Sequence, residues 1–393
     1  MKFKELFNQE TWLPDWDKIF SIKEFKDMET CEQSKIWHKE KFCSTHTKLV
    51  TQTLQSFLLN RENIEPSNNE YYIMMMAAAI CHDLGKPSTT KFDEEKGDYT
   101  TKCHGLVGAK ITRRLFFDEE FTLREKVCYM VRHHMDLHHI FDKEEMSTRK
   151  MIQLSHGRVR VKDMLILNIC DSLGSKNDEE DEEFIAEKEE RIKSLAEGLN
   201  CYETPYEFNN DYEKIRFFHF KDRLFPEGCA LPKDYGQFIM YVMIGVPGSG
   251  KSYYIEKYLK DAVQISRDLI RTEIGIKGEK PQGNKEQESH VTEIFNERML
   301  ECCKNKQDFV IDNTNVRKMY RDAYTDMTLR FMPRIVYVYI EAPDLQTYKD
   351  RRKGMMPLEV IDRMWSQFDF PEPTEYNAMI WDKQFEHIKY ELI

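Results

Sequence analysis

The chain has 393 residues, of which 40% are hydrophobic, 12% aromatic and 32% charged. At roughly 150 residues per domain that length holds two domains better than one, and the apolar content excludes intrinsic disorder and a fibrous repeat. The balance of 69 acidic against 58 basic residues, a formal charge of −11, does not suit a protein that coats long duplex nucleic acid, so any such contact is confined to a groove or an end.

Up to about residue 175 the sequence reads as helices. Val50, Leu54, Phe57 and Leu58 recur at helical spacing, 151–173 has a similar rhythm, and strand alternation and hairpin signals are hard to find. Residues 178–190 carry nine carboxylates and one lysine, the composition of a solvated loop or helix face. The stretch to 236 is mixed and aromatic, a packed connector. From Phe238 the runs FIMYVMIG, AVQIS, DFVID and RIVYVYIEA are β-branched and aromatic, with charged helical stretches between them, which predicts a parallel α/β sheet. The expected organisation is an all-α domain over 1–195, a connector over 196–236 and an α/β domain over 237–393. Ten cysteines form no CxxC pair, the N-terminus has no apolar signal core, and the most apolar run, 71–81, is 11 residues long, about half a membrane span. The thiols read as reduced and the chain as soluble and cytoplasmic, with no membrane partner.

Histidines and carboxylates cluster in the helical part. His82-Asp83 follows the apolar run, and RHHMDLHH carries His133 and His134. Around them stand His46, His104 and Asp171. Neutral imidazole and carboxylate are ligands for borderline or hard divalent metals. His82 and Asp83 converge on one point only if the helix at 71–81 ends there, and Gly85 and Pro87 supply the stop. Asp171, near the end of an apolar helix, is costly to bury without a partner. His38, His138 and His139 lack such a pattern and read as ordinary core or surface residues.

The ordered set H…HD…H…HH…D over about 40–175, with HDLGKP and HGLVGA as its elements, resembles the HD-domain metal phosphohydrolases, and VRHHM resembles the HD domains attached to tRNA-end-processing enzymes. The resemblance implies one or two divalent transition metals. His46, His82, Asp83 and Asp171 would hold one ion; His104, His133 and His134, with Asp83 bridging, a second. Lys86, one turn past Asp83, would neutralise a phosphate oxygen.

In the α/β part, Gly245-Val246-Pro247-Gly248-Ser249-Gly250-Lys251-Ser252 fits the phosphate-loop pattern GxxxxGK[ST] between a strand and a helix. Backbone amides of such a loop bind the anionic oxygens of ATP, Lys251 reaches the β and γ phosphates and Ser252 binds Mg²⁺. Later runs bring Asp268 and Arg271, then Asp312 and Asn315, to the C-terminal edge of the sheet, where ligands of such folds bind. A basic run, YKDRRKGMMP, follows. This order resembles the polynucleotide 5′-kinases. By that resemblance Asp268 is the general base for a 5′-hydroxyl, Arg271 grips the acceptor's neighbouring phosphate, Asp312 helps orient the acceptor, and Arg351 or Arg352 closes over ATP, with Lys353 in an ambiguous register.

The two halves together resemble the bifunctional HD-domain polynucleotide kinases that repair RNA ends. The implied work is removal of 2′,3′-cyclic, 2′- or 3′-phosphate by the first domain and ATP-dependent phosphorylation of a 5′-hydroxyl by the second, on RNA in preference to DNA. A separate ligase would seal the ends, because no KxDG motif is present. Two alternatives stay open: an enzyme of nucleotide metabolism pairing nucleotide hydrolysis with a nucleoside kinase, and an HD sensor that gates an ATPase. The sequence leaves the oligomeric state undefined.

Overall fold

The apolar run at 71–81 becomes the centre of the first half of the molecule. In a computed structural model, which describes residues 1–175, 182–276 and 284–383, the chain divides into two units, Met1–Glu207 and Phe208–Ile393. The stretch read as a connector is thus shared, its first part going with one unit and its second part with the other. No described helix is long and apolar enough to cross a membrane.

The first unit runs α1 (Trp16–Ser21), α2 (Lys23–Lys26), α3 (Cys43–Asn60), α4 (Glu70–Cys81), α5 (Lys86–Thr89), β1 (Thr90–Asp93), β2 (Asp98–Thr101), α6 (His104–Leu115), α7 (Phe121–His133), α8 (Ser147–Ser155), α9 (Val161–Gly174) and α10 (Glu182–Gly198). Asn69 caps α4, its Oδ1 accepting from the amides of Tyr71 and Tyr72. Every residue from Tyr72 to Cys81 is buried, as a helix apolar on all sides requires, and α3, α7 and α9 pack around it. The helical expectation gains one exception, the antiparallel hairpin β1–β2, which pairs Thr90 with Thr101 and Asp93 with Asp98. Its Thr, Phe and Tyr residues favour strands, and Gly97 at φ 65° turns the chain, but the charged DEEKGD tip hides the pattern in the sequence. The acidic run continues as the exposed start of α10 from residue 182; residues 178–181 lie outside the described residues.

The second unit runs α11 (Asp211–His219), β3 (Ile239–Ile244), α12 (Lys251–Tyr258), β4 (Val263–Ile265), α13 (Arg267–Glu273), α14 (Lys285–Lys304), β5 (Phe309–Ile311), α15 (Lys318–Thr328), β6 (Arg334–Glu341), α16 (Leu345–Asp350), α17 (Leu358–Ser366) and β7 (Ala378–Lys383). The four apolar runs form strands, and β7 joins them as a fifth. The order is β4-β5-β3-β6-β7, every neighbouring pair parallel. Burial on both faces explains why these strands read as continuous apolar runs. Parallel pairing brings the loops after β3, β4, β5 and β6 to one edge of the sheet.

Candidate metal centre and phosphate-binding loop

Five elements of the first unit converge on one buried point. His46 comes from α3, His82 and Asp83 from just past the end of α4, His104 from the first residue of α6, His134 from just past α7, and Asp171 from the last turn of α9. The helix α4 ends at Cys81 as its sequence predicts, but Gly85 acts through space and not through a left-handed φ. Its φ is −80°, and a Cβ there would lie 2.0 Å from the His104 carbonyl, so glycine lets α6 approach and deliver His104. The ligand atoms named from the sequence form two groups, His46 with His82 and Asp171, and Asp83 with His104 and His134, and a third, His38 with Glu40 and His46, lies beside them, each within 4.8 Å. Asp83 faces the first two. Its Oδ2 is 3.2 Å from His82 Nε2 and 3.8 Å from His46 Nε2; its Oδ1 is 3.6 Å from His104 Nε2 and 3.9 Å from His134 Nε2.

The donor set fits divalent cations. His82 and His134 donate Nδ1–H to the carbonyls of Ala79 at 2.8 Å and Val131 at 2.7 Å, which leaves each Nε2 as a lone pair aimed inward, the arrangement of a metal-ligating imidazole. The Nε2 atoms of His104 and His134 are 3.0 Å apart. Among the described residues, His82 Nε2 and Asp83 Oδ1 are buried and make no hydrogen bond; such groups are rare in folded proteins and call for a ligand. Burial opposes ionisation of Asp83, yet the charges of His82 and Lys86 hold its carboxyl well below the usual range. Burial pushes His104 down to about 4, with Lys86 and His82 adding to it, so this imidazole is neutral and ready to ligate. At His46 burial acts downward, but the Asp171 and Glu40 carboxylates win and push it up to about 9.

Three placements differ from the sequence pattern. His133 is turned away from the centre, with Nδ1 2.7 Å from Asp136 Oδ2 and its ring on Tyr129. His138 comes in instead, its Nε2 3.2 Å from Asp171 Oδ2. Lys86 is buried, its Nζ 2.7 Å from Asp83 Oδ2 and 2.6 Å from Gln33 Oε1, so it neutralises the bridging carboxylate as the chain stands. His38, Glu40 and Gln33 were not singled out by sequence, and all three lie against this centre.

In the second unit the phosphate loop turns between β3 and α12. Gly248 has φ +90°, and a Cβ there would meet the Tyr348 carbonyl at 2.7 Å. Gly250, at φ 109°, starts α12, and Ser252 is exposed in its first turn. Lys251 Nζ donates to the carbonyls of Gly245 at 2.8 Å and Val246 at 3.3 Å. Arg351 donates to the carbonyl of Gly248 at 3.1 Å, which ties the basic run to the loop, while Arg352 lies close enough to act on the charge of Lys251. Asp312 Oδ2 accepts from Gln264 at 2.8 Å, and burial raises its pKa. Asn315 does not present its side chain to the edge. It is buried at φ 47° with Nδ2 donating to the Met243 carbonyl at 2.7 Å, locking the loop after β5 onto β3. Asp268 is exposed, with Oδ1 2.6 Å from Arg271 Nη1. Glu288 on α14 grips Arg271 from the other side, at 2.8 and 2.9 Å.

Burial pushes Lys251 down to about 8, against the pull of Asp312. Burial favours a neutral lysine, whereas a bound triphosphate favours the ammonium. ATP binding should therefore take up a proton between pH 8 and the unperturbed lysine range, and affinity should fall as pH rises through that window. Calorimetric titration at pH 8.5 in buffers of different ionisation enthalpy measures the uptake. Zero uptake in wild type would show that the triphosphate does not meet Lys251.

Residues 45–183 match the HD domain family, and residues 240–371 match a family described as an AAA domain. The chain is 44% identical over 61 residues to a CC-adding tRNA nucleotidyltransferase of Thermus thermophilus, a match that covers 15% of this chain and spans 14% of that protein's length. Among solved structures it is similar to a protein assigned as a kinase from Chloroflexus aurantiacus (10% identity, TM-score 0.32, 40% of this chain and 91% of that one) and to a sugar kinase from Janibacter sp. HTCC2649 (17% identity, TM-score 0.28, 37% and 85%). An HD domain implies divalent metals and a P-loop domain implies a nucleotide with Mg²⁺, the groups that the two clusters of residues fit. Residues 45–183 form an HD domain, followed at 240–371 by a P-loop domain of the AAA type.

Proposed function

We propose that this chain heals broken RNA ends, removing 2′,3′-cyclic, 2′- or 3′-phosphate in the first unit and phosphorylating a 5′-hydroxyl in the second, so that a separate ligase can join them. The observation that carries the reading is the pairing, in one chain, of a buried two-group His/Asp centre with a phosphate loop whose sheet edge presents an exposed carboxylate, Asp268, beside an arginine. A divalent metal in the first centre supplies Lewis acidity and a hydroxide at neutral pH. The protein's own part there is to fix the imidazole lone pairs and to hold Asp83 ionised. In the second unit Asp268 takes the proton of the 5′-hydroxyl as its oxygen forms a bond to the γ-phosphorus and the bond to the ADP oxygen breaks.

One observation favours a second reading. Arg271 is held by Glu288 as well as Asp268, and an acceptor phosphate must compete with the Glu288 carboxylate, which suits an acceptor without that phosphate, such as a nucleoside. One assay separates the readings. An oligonucleotide with a 5′-hydroxyl and a 2′,3′-cyclic phosphate, incubated with γ-labelled ATP, should gain label at one end and lose phosphate at the other. Label on a free nucleoside but not on the oligonucleotide would favour the second reading, and neither change would refute both. Asp268→Asn should lower transfer by about 10²–10⁴-fold with ATP binding retained, and Arg271→Ala should harm a nucleoside 3′-monophosphate more than a bare nucleoside. Wild-type transfer rates in Asp268→Asn would remove it as the base.

A further inference from the structure

The segment between Cys31 and Phe42 lacks any ligand pattern, yet it is built onto the metal centre. Its ends pair, the Gln33 amide donating to Lys41 O and the Cys43 amide to Cys31 O, both at 3.0 Å. Its turn is pinned to β2, where Asp98 accepts from Ser34 Oγ at 2.5 Å and from the Lys35 amide at 3.0 Å. Held in this way, the segment inserts one carboxylate, Glu40, between two imidazoles. The Glu40 side chain is 1% exposed, and its Oε1 lies 2.8 Å from His38 Nδ1 and 3.1 Å from His46 Nδ1.

An ionised carboxylate only accepts, so His38 donates its Nδ1–H to Glu40 and its Nε2 is a lone pair when the ring is neutral, whereas His46 meets Glu40 as an ion pair and donates its Nε2–H to Asp171. The Nε2 of His46 faces the centre, 2.9 Å from Asp171 Oδ1 and 3.8 Å from Asp83 Oδ2. That of His38 faces the ammonium of Lys86 at 3.5 Å, whose other contacts are Asp83 and Gln33. The path Asp83–Lys86–His38–Glu40–His46 therefore returns to Asp83.

We propose that Glu40 is a positioning residue of the metal centre, one buried carboxylate whose charge orients the ligand His46 directly and the Lys86 ammonium through His38. The proposal rests on the reading of the first unit as a metal-dependent phosphohydrolase. Outer carboxylates of this kind raise the basicity of a ligating imidazole and are worth about 10–100-fold in metal affinity. The two arms of Glu40 have separable consequences. Its contact with His46 bears on metal binding, and its contact with His38 bears on the turnover that Lys86 assists.

The test is a titration of the full-length chain with Co²⁺ alone, followed by its visible absorption, beside phosphoesterase kinetics. Glu40→Gln should weaken Co²⁺ binding by about 10–100-fold and shift the visible band, because the amide keeps the shape of the side chain but removes the charge that faces both rings. His38→Gln should leave Co²⁺ affinity as in wild type and lower kcat. If Glu40→Gln melts early, Glu40→Asp, which keeps the charge but is too short to span both rings, decides in its place and should also bind Co²⁺ more weakly. Wild-type affinity and spectrum in the folded Glu40 variant would overturn the proposal, as would equal losses of affinity in the Glu40 and His38 variants. A wild-type protein that binds no Co²⁺ would instead overturn the reading of the first unit.

Discussion

Asp83→Ala is expected to stop phosphate release from 2′,3′-cyclic and 2′-phosphate ends while 5′ labelling by ATP continues. Asp83 faces both ligand groups, so its loss removes an oxygen from each. Alanine does something further, because it leaves the buried ammonium of Lys86 without its carboxylate. Removing one partner of a buried ion pair costs roughly 3–5 kcal/mol, a large share of the roughly 5–15 kcal/mol by which a domain is stable. Asp83→Asn is therefore the better probe of chemistry. It keeps an oxygen for Lys86 and the volume of the side chain, but removes the negative charge that a bridging ligand needs. Phosphate release and metal content measured on both variants, with a melting curve for each, separate the two effects. Hydrolysis by Asp83→Asn at the wild-type rate would exclude a bridging role.

Lys251→Ala should lower 5′ phosphorylation by roughly 10²–10³-fold or more, the scale on which a single electrostatic contact to a transition state acts, and hydrolysis in the first unit should survive. The ammonium donates to the carbonyls of Gly245 and Val246. Those contacts are local and weak beside a triphosphate, so ATP recruits Lys251 without rebuilding the loop. Transfer rates with saturating ATP are the measurement. An unchanged rate would place phosphoryl transfer elsewhere in the chain.

The phosphate loop was legible in the sequence because its chemistry is local. Glycines at fixed offsets, a preceding strand and a following helix are all short-range statements, and the fold places Gly245, Gly248 and Gly250 at positive φ around Lys251. The helices that carry His46, His82, His104 and Asp171 were legible for a related reason, since apolar periodicity shows where a helix turns its face inward. What sequence could not show was how neighbours diverge. His133 and His134 are adjacent, but α7 ends between them; the second turns in and the first turns out to Asp136. His138 meets Asp171 across 33 positions, and no spacing rule links them. His38 and Glu40 sit in a segment without periodicity, so their role depends on pairing at 31–43 and on an anchor at Asp98, both tertiary. The hairpin and β7 were missed because short strands carry too few alternations to stand out.

The span of chain that closes the metal centre bears on how the domain comes into being. His46 and Asp171, 2.9 Å apart, are separated by 125 positions, and α4, on which His82 and Asp83 depend, is wrapped by helices from both sides of it in the chain. During synthesis the first ligands emerge long before the last one, and α4, apolar on every side, waits exposed for α9 to cover it. Closing so long a loop costs chain entropy before the contacts it makes can repay it. A cation bound there would favour the assembled state over the open one by mass action. Chain ends cut before α9 would leave both an open core and a half-site, which makes metal retention a reporter of complete folding as much as of chemistry.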